Sequence, residues 1–209
     1  MRRTLFLAIA TLAVLAIVPA LKAIDDPFAR EITAEMRASL FEDPGAPVLG
    51  NPDGDVTLVE FTDYNCGFCR RSQPEIEKLL KADPNLRLVI RELPVFGEGS
   101  RFAAEAALAA GMQGKYAELH AGLMSMKGRA DQASVLREAR RLGLDVPRLQ
   151  QDMSGPAVAD HIAESLILAD GLEIMGTPTW VIGERVIFGF LPASELSEVI
   201  AEARASATE

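Results

Sequence analysis

The sequence predicts an α/β domain in which a strand–helix–strand unit is parted from a β-hairpin and closing helix by a long helical block. Three observations carry this. An apolar run at residues 56–61 leads through a short turn into Cys66-Gly67-Phe68-Cys69, where a helical pattern starts at once. A second apolar run at residues 86–93 follows that helix, and two strands joined through a helix pair in parallel. Residues 100–173 then read as helix after helix, until Gly176-Thr177-Pro178 opens a hairpin.

Each element has its own signal. Phe28, Ile32, Met36 and Leu40 recur at four-residue spacing and predict a helix over residues 27–42, which Asp43-Pro44-Gly45-Ala46-Pro47 breaks. Asn51-Pro52-Asp53-Gly54 is a turn. The helix after Cys66 extends to about residue 81 and is bent by Pro74, and Asp83-Pro84-Asn85 closes the unit. Helices at 101–112, 115–126, 132–142, 146–153 and 157–172 are punctuated by Gly114, Gly128, Gly143 and Pro156. Strands at 179–182 and 185–188 flank Gly183-Glu184, and Pro192 opens a last helix to about residue 204. This order is that of a thioredoxin-like sheet with a helical domain inserted at about residues 98–174. Residues 48–205 make the domain, preceded by an N-terminal helical segment at 24–47.

Residues 1–23 read as a secretory signal. Arg2 and Arg3 precede an apolar stretch over 5–18, and cleavage falls after Ala20 or Ala23. The stretch is short of the roughly 20 residues of a membrane-spanning helix. The formal net charge is −9, and loss of the leader with Arg2, Arg3 and Lys22 makes it more negative still. An acidic chain with no basic cluster excludes nucleic acid as a partner.

Cys66 and Cys69 are the only two cysteines. A bare Cys-x-x-Cys is a redox dithiol, a structural disulfide or half of a metal site. Exported proteins stapled for stability usually carry several bridges in a shorter chain, so this pair reads as a working part. Cys66 sits at a helix mouth, where free N–H groups and the helix dipole favour a thiolate. Cys69, one turn inside, is the resolving thiol. Arg70 and Arg71 read as exposed helix charges worth little each. Glu60 is an acid in an apolar strand, costly there unless it works, and is placed to take the Cys69 proton through water. Pro178 is a candidate cis proline, its peptide bond bringing the backbone of Thr177 to the sulfurs to pair with an extended substrate segment. Gly67 and Phe68 join Thr177 and Pro178 as candidate substrate contacts. The site needs no cofactor beyond its own disulfide.

The stretches Val59-Glu60-Phe61-Thr62-Asp63-Tyr64-Asn65-Cys66-Gly67-Phe68-Cys69 and Gly176-Thr177-Pro178-Thr179-Trp180-Val181-Ile182-Gly183 resemble the DsbA family of periplasmic thiol–disulfide oxidoreductases. The resemblance implies that Cys66 is the nucleophile, Cys69 the resolving cysteine, Pro178 the cis proline and Glu60 the buried glutamate. It implies a periplasmic protein acting on the thiols and disulfides of other proteins, with a membrane redox partner. Gly67-Phe68 replaces the Pro-His of strongly oxidising members, and Thr177 is more like the isomerase members. Pro47-Val48-Leu49-Gly50-Asn51-Pro52 with Cys-Gly-Phe-Cys looks most like the suppressor-of-copper-sensitivity (ScsC) and DsbG-like branch. Isomerase relatives form oligomers through an N-terminal segment, so residues 24–47 are a candidate arm for a homo-oligomer, with a helix packed on its own domain as the alternative.

Two other classes fit parts of the pattern. A dithiol can hold Cu(I) through soft thiolates, which keeps a copper-resistance role open. A chaperone could use an apolar groove at Phe68, Pro178 and Trp180. A zinc site is excluded because His120 and His161 lie too far apart in the sequence. Met112, Met124, Met126, Met153 and Met175 read as core or groove lining.

Overall fold

The computed structural model describes residues 29–206. Five strands form one sheet in the order β1-β3-β2-β4-β5: β1 (Val48–Gly50), β2 (Val56–Thr62), β3 (Leu86–Glu92), β4 (Thr179–Ile182) and β5 (Arg185–Phe188). Only β2 and β3 pair in parallel, as a strand–helix–strand unit requires; the other pairs are antiparallel. The helices are α1 (Ala34–Phe41), α2 (Gly67–Ala82), α3 (Glu98–Gly111), α4 (Tyr116–Ser125), α5 (Gln132–Arg141), α6 (Val146–Met153), α7 (Pro156–Gly171) and α8 (Ala193–Ser206). This is the thioredoxin-like fold, with α3–α7 inserted between β3 and β4. The signal read at residues 1–23 lies outside the described residues.

The central strands are buried on both faces, which is why they read as continuous apolar runs. On one face Leu58, Leu88, Ile90 and Trp180 share a core with Ile76 and Leu79 of α2, Leu196 and Ile200 of α8, and the alanine-rich α3. On the other, Val59, Phe61, Val89 and Val181 meet Leu40 of α1 and Leu168, Ala169 and Leu172 near α7. Each fully buried side chain of this kind stabilises by about 1.5–3 kcal/mol. Small alanines let α3 sit close to its neighbours α4 and α6.

Three features depart from the sequence reading. β1 is an edge strand that the sequence does not announce, being three residues long and ending at Gly50. That glycine has φ of +75°, and a Cβ there would stand 2.6 Å from the carbonyl oxygen of Leu86. The first helix starts at Ala34, not residue 27, because the Thr33 side chain caps it at the Met36 N–H. Ala29 and Arg30 instead pair with the β4–β5 hairpin, through an Ala29–Arg185 bridge and the Arg30 N–H on the Glu184 carbonyl. In the described part of the candidate arm, Ile32, Met36 and Leu40 pack onto the domain's own sheet and α7.

Candidate functional site

The turn from β2 into α2 is held by two side chains. Asp63, 1% exposed, accepts the backbone N–H groups of Asn65, Val95 and Phe96 and the Ser100 hydroxyl at 2.7–3.1 Å. Asn65 exchanges hydrogen bonds with the backbone of Ala130 and donates to Ser100. Together they tie the cysteine turn to the inserted helical domain. Neither was singled out from the sequence, although Asp and Asn in a turn just before a helix are the residues that bond to nearby backbone.

Cys66 is the N-cap of α2, and its sulfur accepts the Cys69 N–H at 3.5 Å. As a thiol it donates to the Thr177 carbonyl at 3.1 Å, across a cis Thr177–Pro178 bond. The structure thus brings Cys66, Cys69, Thr177 and Pro178 together. Both sulfurs are thiols and both are buried, Cys66 3% and Cys69 1% exposed, so the expected difference in exposure is small. The difference is electrical. Hydrogen bonding from the Cys69 thiol, with help from Thr177 and the amides of Cys69 and Phe68, brings the Cys66 thiol down to about 5 against the opposing effect of burial. Burial, the Cys66 bond and the Glu60 charge push Cys69 far upward.

Glu60 lies inside β2, 1% exposed, and its Oε2 has no hydrogen-bond partner. Burial raises its carboxyl to about 8; Thr62 opposes this, and the charges of Glu92 and Cys66 add to it. It therefore holds a proton at neutral pH next to a thiol that also holds one.

Residues 57–201 match the DSBA-like thioredoxin domain. The chain belongs to the DSBA-like thioredoxin family. It is similar to a thioredoxin-like oxidoreductase from Silicibacter pomeroyi DSS-3, at 54% identity and TM-score 0.80 over 81% of this chain and 98% of that one. The catalytic domain of Proteus mirabilis ScsC is 30% identical at TM-score 0.76, over 82% of this chain and 96% of that one. A periplasmic thioredoxin-like protein from Salmonella enterica serovar Typhimurium is 30% identical at TM-score 0.74, over 84% and 99%. These neighbours agree with the DsbA family and its ScsC-like branch. Among curated proteins, the Na(+)/H(+) antiporter NhaA 1 of Salinispora arenicola is 35% identical over 75% of this chain, and the chain spans about a quarter (24%) of its length.

Around the dithiol of this DsbA-family chain the surface is apolar. Phe68 is 55% exposed and Met175 97%. Val95 and Phe96, also exposed, are tied to the cysteine turn through Asp63. Arg71 lies between two rings, its guanidinium carbon 4.8 Å from the Phe68 centroid and 4.7 Å from that of Phe190. Two sequence expectations need correction here. Trp180 does not line a groove: it is fully buried opposite Glu60, and its indole N–H donates to the Gly189 carbonyl. Arg70 is not an exposed helix charge; it clamps the carbonyls of Tyr64, Met126 and Gly128.

His120 and His161 are both buried, and burial lowers each to about 4, so both are neutral at pH 7. Among the described residues no group of three or more His, Cys, Asp or Glu is arranged to hold a metal ion.

Proposed function

We propose that this DsbA-family protein is an exported thiol–disulfide oxidoreductase that forms or isomerises disulfides in periplasmic and secreted proteins. One observation carries the reading: the Cys66 sulfur caps the mouth of α2, accepting the Cys69 N–H, and lies against the Thr177 carbonyl at a cis Thr177–Pro178 bond. That setting brings the Cys66 thiol down to about 5 while Cys69 is pushed upward. Likeness to a periplasmic thioredoxin-like protein, and the signal read at residues 1–23, support the compartment.

In the oxidising direction, a substrate thiolate attacks Cys66 in the Cys66–Cys69 disulfide. The S–S bond breaks, a mixed disulfide to Cys66 forms, and Cys69 leaves as a thiolate that takes the Glu60 proton. A second substrate thiolate then attacks the substrate's sulfur in the mixed disulfide, and Cys66 departs as a stable thiolate. Two electrons pass from substrate to site, and a membrane redox partner takes them on. In the isomerising direction the Cys66 thiolate attacks a wrong substrate disulfide, and a different substrate thiol later displaces it, with no net electron transfer. Thr177 and Pro178 align the extended substrate segment, while Gly67 leaves room beside the exposed Phe68 for it to pass.

The test is refolding of a scrambled multi-disulfide protein beside oxidation of the same protein fully reduced. Faster recovery from the scrambled form assigns isomerisation; faster oxidation of the reduced form assigns disulfide formation. Catalysis of either that survives in Cys66→Ser contradicts the proposal.

A further inference from the structure

Glu92, at the end of β3, is a second fully buried acid on the face that carries Glu60. The parallel register pairs Thr62 with Glu92 and Glu60 with Ile90, so both carboxyls project from the same side of adjacent strands. Arg91, between them in register, points the other way, to Asp43.

The hydrogen bonds around Glu92 can be counted. Its Oε1 is 2.5 Å from the Tyr64 hydroxyl and 2.7 Å from that of Tyr116. The Tyr64 hydroxyl is also 3.0 Å from His120 Nδ1, and His120 Nε2 is 3.2 Å from Gln73 Oε1. The Gln73 amide nitrogen donates to Glu77, which fixes its oxygen toward the histidine. The Tyr116 hydroxyl also stands 3.4 Å from His120 Nδ1, beyond the ordinary hydrogen-bond length. The four shorter contacts, Glu92 with each tyrosine, Tyr64 with His120 and His120 with Gln73, each need a hydrogen. With Glu92 ionised and His120 neutral, the two hydroxyls and one ring N–H supply three. The fourth belongs to Glu92 as a carboxylic acid or to His120 as imidazolium. The acid form buries no charge, whereas the imidazolium form buries two opposite ones.

We propose that Glu92 is a carboxylic acid at neutral pH and forms with Glu60 a coupled proton-holding pair, Glu92 acting as a positioning residue for the dithiol's proton step. This rests on the reading of Glu60 given above. Opposed like charges in so buried a site cannot both form easily, so the two protons leave in separate macroscopic steps. Ring opening turns Glu60 into an anion as its proton passes to Cys69, and a neutral Glu92 permits this. At higher pH, ionised Glu92 makes Glu60 hold its proton longer and extends the working range upward. The other groups facing the pair are Thr62, Asp63, Tyr64, Cys66 and Cys69, Trp180 opposite Glu60, Tyr116 of α4, and His161 of α7 on the Glu92 N–H; behind Tyr64 stand Arg70 on its carbonyl and His120, itself against Gln73. Burial raises Glu92 to about 8, in line with the count.

The experiment uses the oxidised protein, which has no free thiol. The infrared band of protonated carboxyls is titrated from pH 5 to 11. Wild type loses two buried carboxyl protons in steps about one pH unit or more apart. Glu92→Gln and Glu60→Gln each keep a single step, and the upper one disappears. The rate of ring opening by dithiothreitol, followed through the fluorescence of Trp180, keeps its peak in Glu92→Gln within about two-fold, but its alkaline limb moves down by up to about one pH unit. Tyr116→Phe, which keeps both acids and removes one donor to Oε1, retains both steps with that of Glu92 raised. An unchanged band at pH 6 in Glu92→Gln, or an unmoved alkaline limb, overturns the proposal while leaving the function standing. A limb that persists in Glu60→Gln removes the Glu60 role and this proposal together.

Discussion

The sulfur of Cys66 meets the carbonyl oxygen of Thr177 at 3.1 Å, joining positions 111 residues apart. The contact is a hydrogen bond only while the sulfur keeps its proton, so the thiolate depends on its other donors, the Cys69 thiol first. The buried Thr177 hydroxyl has no hydrogen-bond partner among the described residues beside the thiol and is available to the sulfur once it ionises. Thr177→Val keeps the shape and removes the hydroxyl. Titration at 240 nm should place the Cys66 midpoint about one unit above the wild-type value. The site's reduction potential should fall by about 30 mV with it. A midpoint at or below wild type would remove Thr177 from the stabilising set.

Asp63 is expected to matter for stability well beyond its share of the sequence. Asp63→Ala leaves three backbone N–H groups and a serine hydroxyl without their acceptor. The cost is at least about 3 kcal/mol, measured by denaturant unfolding of the oxidised protein. A loss below about 1 kcal/mol would show that water replaces the carboxylate there.

Much of this architecture is legible in the sequence because its signals are local. The apolar runs of β2 and β3, the turn at Gly183-Glu184 and the caps of the inserted helices follow from neighbouring residues. β1 escapes because it is a strand only by virtue of pairing with β3. Trp180 misleads because strand residues alternate between faces, and the sequence does not say which side the groove is on. Glu60 is conspicuous as a lone acid in V-T-L-V-E-F, whereas Glu92 hides among Arg91, Leu93 and Pro94 at a strand end that reads as solvated. Its significance comes from Tyr116 and His120, contributed by a helix whose position only the folded chain defines.

Phe68 is expected to act on substrate affinity alone. Covering its exposed half with a substrate is worth about 1 kcal/mol. Phe68→Ala should raise KM for an unfolded protein substrate about five-fold and leave the rate with dithiothreitol unchanged. An equal loss for both substrates would mean that the ring shapes the dithiol itself.

Stability of the oxidised protein should fall as pH rises above about 6.5. Glu60 and Glu92 are raised from 4.5 to about 8 in the folded state, so between those values the folded chain holds protons that the unfolded chain has lost. Unfolding then releases protons from these acids. Below 6.5 it also returns protons to His120 and His161, which burial lowers to about 4, and the two effects offset each other, so stability declines across roughly pH 6.5–8 before levelling off. Thermal unfolding should show a shallower decline in Glu60→Gln and in Glu92→Gln; equal slopes in all three proteins would contradict the buried acids.

The most direct test is absorbance titration at 240 nm of the reduced protein, with Cys66→Ser as the blank. The account predicts a thiolate forming with a midpoint near 5, absent from the blank. A single transition at the ordinary cysteine value of about 8.5 would contradict it.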